Sequence, residues 1–99
     1  VNIFEGYIES DKPVIVDFFA GWNQASRLMN PVLQELKFKF GDKVSVIRID
    51  IEKEAKMASL HNIWSVPTLV IFKKGQEVWR KSGIVPMHEM LENISHYLN

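Results

Sequence analysis

The sequence predicts an α/β fold, a mixed sheet with helices on both of its faces. Three observations carry this. Two apolar runs rich in β-branched residues, 14–19 and 44–51, read as strands. Segments with helical periodicity alternate with them. A glycine turn then joins two further short strands, 68–72 and 77–81, so that the last part of the sheet is antiparallel. Ninety-nine residues suit one domain, 1–99, which would bury a little over ~60 % of its unfolded surface.

Each element has a local reason. Ile3, Phe4, Tyr7 and Ile8 fall on one helical face, so residues 2–10 read as a short helix that Asp11-Lys12-Pro13 breaks. Residues 14–19, VIVDFF, have the pattern of a strand covered on both faces. Ala25, Leu28, Met29, Val32, Leu33, Leu36 and Phe40 keep helix spacing over about four turns, and Gly41-Asp42 ends the run. Residues 44–51 form a second apolar strand, and 54–63 a shorter helix with Ala55, Ala58 and Leu60 inward. Lys74-Gly75-Gln76 marks the hairpin turn, where alternation sends one of Val78 and Trp79 outward. Met87, Met90, Leu91, Ile94, Tyr97 and Leu98 give a C-terminal amphipathic helix, with Pro86 near its first turn.

Composition narrows the function classes. Twelve basic residues balance twelve acidic ones, so there is no electrostatic reason to expect nucleic acid or an anionic membrane as partner. No apolar run approaches the ~20 residues of a membrane span, and no signal-peptide pattern opens the chain. A cytoplasmic location is the expectation, although the first residue is Val1 rather than methionine, as in a processed or trimmed chain. Cysteine is absent, which removes disulfides, thiolate nucleophiles and cysteine metal sites together. His88 and His96 are eight residues apart, too far for an i,i+4 metal pair. No metal and no cofactor are expected.

Two charges interrupt the apolar strands. Asp17 lies inside VIVDFF and Arg48 inside VIRIDI. A lone buried charge costs several kcal/mol, so one reading pairs them. In the other, each lies near the open end of its strand and reaches water, which the long stem of Arg48 does more readily. Burial alone would raise the Asp17 pKa, whereas a guanidinium partner would lower it.

With these residues in place, the chain resembles the thioredoxin family over nearly its whole length. VDFFAGWNQASRLMNPVLQEL is similar to the family's active-site strand and helix, close to VDFWAxWCGPCRMxxPxLEEL; IWSVPTLVIFKKGQEV resembles its cis-proline loop and hairpin, and KSGIV its glycine turn. The resemblance implies a thioredoxin-like fold. Its sheet would have four strands, or five if the family's first edge strand precedes the first helix. Asn23 and Ser26 then stand where the two redox cysteines belong, with Gln24 and Ala25 in place of Gly-Pro. Trp22 matches the tryptophan before the motif, Asp17 the buried acid, and Arg48 a nearby lysine. Pro31 matches the proline that kinks the active-site helix, Pro67 the cis-proline and Gly83 the glycine beside the groove.

The changed residues alter the chemistry. Disulfide exchange needs an attacking thiolate and a resolving thiol. Asn23 offers an amide, and Ser26 a hydroxyl with no histidine base at hand, so no catalytic residue is assigned and an enzyme is not expected. Asn23 is instead a strong helix N-cap candidate, able to take the backbone N–H of Ala25 or Ser26.

What the resemblance leaves available is binding. The family, which serves cell redox homeostasis, holds extended protein segments in a shallow groove, which here would comprise Trp22, Gln24, Ala25, Trp64, Ser65, Val66, Pro67, Gly83 and Ile84. Three functions follow: a redox-inactive module that binds a protein or extended peptide segment, a cysteine-free variant of a protein-disulfide oxidoreductase, and a structural domain of a longer chain. The first is preferred, because four adjacent changes are an odd way to disable an enzyme that a single Cys→Ser would disable.

Overall fold

A computed structural model describes residues 3–98. Asn2, where the first helix is expected to start, and the side chain of Ile3 lie outside the described residues. The elements run α1 (Ile3–Ile8), β1 (Val14–Phe19), α2 (Gln24–Leu28), α3 (Asn30–Phe40), β2 (Ser45–Asp50), α4 (Ala55–Leu60), β3 (Thr68–Lys73), β4 (Gln76–Ser82) and α5 (Met87–His96). Among the described residues they form a four-stranded sheet in the order β2-β1-β3-β4. β1 and β2 are parallel, with Asp17 opposite Arg48. β1–β3 and β3–β4 are antiparallel.

Alternation along β1 divides the core in two. Ile15 points to the face covered by α3 and α5, where it joins Met29, Leu33, Leu36, Leu69, Ile71, Met90 and Ile94. Val14, Val16 and Phe18 point to the other face, with Phe4 and Ile8 of α1 and Ala58 of α4. Burying each large apolar side chain stabilises the fold by about 1.5–3 kcal/mol relative to exposure. His61, just past α4, packs edge-on against Phe4 and Phe72. Burial there lowers its pKa from 6.5, with the Arg80 charge adding to the effect and Glu77 and Glu5 opposing it.

The structure corrects several expectations. The long periodic run is not one unbroken helix: Met29 separates α2 from α3 beside Pro31, where the resemblance places a kink, because Pro31 has no N–H to donate and its ring would crowd the carbonyl of Arg27. Tyr7, Leu28 and Leu60 are exposed rather than inward, and so is Ala55; their spacing matches a face that extends past the edge of the core. β2 is an edge strand and only half-buried, not covered on both faces. Val78 and Trp79 both pack partly against the α3/α5 core, contrary to alternation. A bulge is the reason, since Ile71 pairs with Trp79 while Phe72 pairs with Glu77, leaving Val78 over. Its carbonyl accepts the hydroxyl of Tyr97 at 2.9 Å. The same bulge puts Glu77 and Arg80 on one face, where they form an ion pair at 2.8 Å. Arg80 also donates to the carbonyls of His61 and Asn62 at the end of α4.

Candidate functional site

The strand directions gather three loops at one end of the sheet. β1 and β4 end there and β3 begins there. The loop after β1 turns tightly: the Asn23 N–H donates to the Ala20 carbonyl at 3.1 Å. Asn23 has extended backbone angles, and its Oδ1 accepts the Ser26 N–H at 2.8 Å, so it caps α2. Ser26 is buried, and its hydroxyl accepts the Ala20 N–H at 3.3 Å. The two residues at the expected cysteine positions are thus both engaged in starting a helix.

The other two loops are tied to each other, and the one after β4 to the α2–α3 junction. The Gly83 N–H donates to the Pro67 carbonyl at 2.8 Å, and the Val85 N–H to the Met29 sulfur at 3.5 Å. Gly83 has φ +89°, a conformation that a side chain would strain. The Val66–Pro67 peptide bond is cis. Thr68 fastens the start of β3 by donating its hydroxyl to the Ser65 carbonyl at 2.8 Å.

On this frame the expected groove residues divide. Trp22 is 65 % exposed, Trp64 81 % and Ile84 51 %. Gln24 and Ser65 are exposed, and Ala25, Val66 and Gly83 half-buried. Pro67 is buried, so its ring backs the surface instead of offering contact. No described hydrogen bond engages the Val66 N–H or C=O. Three large apolar side chains thus stand exposed on the loops at this end of the sheet.

The charged pair joins β1 to β2. Asp17 is fully buried, and its Oδ2 accepts the Arg48 Nε–H at 3.1 Å, while the Arg48 side chain stays 36 % exposed. Both readings of Arg48 are therefore met at once: it pairs with the acid and reaches water. The pair is incomplete, since Asp17 Oδ1 has no hydrogen-bond partner. Desolvation raises the Asp17 pKa above 3.8, outweighing the Arg48 hydrogen bond and charge that lower it.

Sequence reasoning passes over three participants. Arg27, one helical turn beyond Asn23, donates from Nη1 to the Gly21 carbonyl at 3.0 Å. The Phe19 ring lies under the Arg48 guanidinium, 4.0 Å from its central carbon. Asn30 lines the cleft between them. Arg27 bonds six residues back across the loop and Phe19 meets Arg48 across β1 and β2, so neither contact is marked by local spacing. No group of three His, Cys, Asp or Glu residues that could hold a metal ion occurs among the described residues, and none of the described helices is long and apolar enough to cross a membrane.

Comparison with known proteins gives a consistent picture. The thioredoxin family model matches residues 1–96. Chloroplastic thioredoxin Y of Oryza sativa subsp. japonica is 40 % identical over 90 residues, 91 % of this chain and 54 % of that protein. The thioredoxin of Alicyclobacillus acidocaldarius subsp. acidocaldarius is 36 % identical over 95 residues, 96 % of this chain and 90 % of that protein. The chain thus spans about half the length of the plant relative and most of the bacterial one. The crystal structure of mitochondrial thioredoxin 3 from Saccharomyces cerevisiae, oxidised form, has a TM-score of 0.84 at 25 % identity, covering 94 % of this chain and 86 % of that one. From a family match over nearly its whole length and a sheet and loop arrangement shared with solved thioredoxins, the chain belongs to the thioredoxin family, and it does so without a single cysteine.

Proposed function

We propose that the chain is a redox-inactive thioredoxin-type module that binds an extended protein segment across the Trp22–Trp64–Ile84 surface. The observation that carries this is the exposure of two indoles and an isoleucine on loops at one end of the sheet, beside an unpaired Val66 backbone. Exposed apolar side chains grouped on neighbouring loops gain by being covered by a partner, and aromatic anchors dominate such interfaces. The free Val66 N–H and C=O supply strand-type pairing to a partner without any catalytic group. A cytoplasmic location belongs to the same proposal; the plant relatives carry chloroplastic names.

Redox inactivity follows from the absence of sulfur nucleophiles. In a disulfide-reduction assay the rate is expected to equal the no-protein rate, and any excess overturns this half of the reading. Binding is tested by immobilising the protein beside an Ala25→Arg, Ile84→Arg double variant, both shown by circular dichroism to be equally folded. A partner held by the native surface and released by the variant supports the proposal. Identical captures, or none, reject it.

A further inference from the structure

Arg48 is anchored on two sides. Its Nε donates to the buried Asp17 carboxylate at 3.1 Å, and its guanidinium plane rests on the Phe19 ring at 4.0 Å. Its two terminal nitrogens donate to no described residue. Arg27 is tethered by one nitrogen to the Gly21 carbonyl at 3.0 Å, leaving its Nη2 and Nε without an acceptor. Both arginines line one cavity of about 240 Å³, walled also by Gly21, Ser26 and Asn30, with no acidic side chain on its lining. A second hollow of about 150 Å³ continues from Asn30 and Arg48 and adds Gln34 and Lys37.

An arginine whose Nε and face are already committed presents its outer edge as a rigid donor fork. That is the arrangement that recognises a planar or tetrahedral oxyanion with little loss of side-chain freedom. The tether of Arg27 works in the same sense, since a partner fixed beforehand loses less on binding. The amide of Asn30 and the hydroxyl proton of Ser26, which no described group accepts, add neutral donors to the wall. Asp17, on the far side of the Arg48 Nε, opposes an anion here.

We propose that Arg27 and Arg48 form an oxyanion site that takes a carboxylate or phosphate group. Nothing in this depends on a protein segment occupying the tryptophan surface, and the site can be probed with small ions alone.

The test is a titration of the isotopically labelled protein with sodium phosphate, and separately with sodium acetate, against sodium chloride at matched ionic strength. The Gly21 and Ser26 amides and the Arg48 Nε–H are followed by NMR. Saturating shifts at low millimolar phosphate or acetate, absent with chloride, are expected. Saturation by phosphate alone identifies a phosphate group as the ligand, and saturation by acetate extends it to carboxylates. Arg27→Gln, on an exposed side chain, and Arg48→Lys, which keeps a cation beside Asp17, should each weaken binding about tenfold. Shifts that stay linear or match chloride overturn the proposal, as does binding that either variant leaves unchanged.

Discussion

Asp17 carries one hydrogen bond on one carboxylate oxygen and none on the other, in a position closed to solvent. The guanidinium of Arg48 offsets only part of the desolvation, so the folded-state pKa lies above the unfolded 3.8. The sign follows: the stability this group contributes is complete below pH 3.8 and is lost as the pH rises through the raised value. Asp17→Asn, which removes the desolvated charge while Arg48 keeps its access to water, should therefore raise the unfolding midpoint at pH 7, with the gain vanishing as the pH falls toward 4. Urea unfolding of both proteins across that range measures it, and a lower midpoint for the variant at pH 7 would show that the Arg48 bond outweighs burial after all. Asn23 is a simpler case. Replacing it by alanine removes the acceptor for the Ser26 N–H and should cost about 1 kcal/mol, whereas Asn23→Asp should be nearly neutral in the same denaturation experiment. The Asn23 cap is legible in the sequence because it acts over three residues. The balance at Asp17 is not, since it depends on how completely water is excluded around a pair 31 residues apart.

Among the elements, strands are read more accurately than helix faces. Residues 14–19 form β1 as expected, because a continuous apolar run between turn residues has few other uses. Periodicity marks which side chains share a side, but the width of the core decides which of them are covered; Tyr7, Leu28 and Leu60 fall outside it. The hairpin shows both outcomes. Its turn residues Lys74 and Gly75 have φ of +54° and +79°, as a two-residue turn of a right-twisted ribbon requires. A Cβ on Gly75 would also lie 3.3 Å from the Glu9 side chain. Gly75→Ala is expected to cost about 1–2 kcal/mol, seen as a lower unfolding midpoint; an unchanged midpoint would mean that the turn relaxes. The bulge three residues further on left no mark in the sequence pattern, because it is set by pairing with β3 and by the Tyr97 bond to Val78.

At the scale of the whole molecule, the scaffold brings Asn23 and Ser26 together at the start of α2, within one capping hydrogen bond of 2.8 Å. A chain carrying both Asn23→Cys and Ser26→Cys should therefore form an internal disulfide, while either change alone leaves a free thiol. Thiol titration before and after mild oxidation distinguishes these, and persistence of both thiols in the double variant would mean that the loop has moved away from the geometry such a bond needs. The sequence by itself determined the alternation of strands and helical segments, the helix cap and the absence of thiol chemistry. Each of these depends on residue type or on neighbours a few positions apart. The tertiary structure alone decided that Trp22, Trp64 and Ile84 stand exposed at one end of the sheet, that Pro67 is withdrawn behind them, and that Arg27 and Arg48 share a cavity. Those arrangements follow from strand register and loop closure between distant segments, where packing and exclusion of water, rather than local preference, set the position of each side chain.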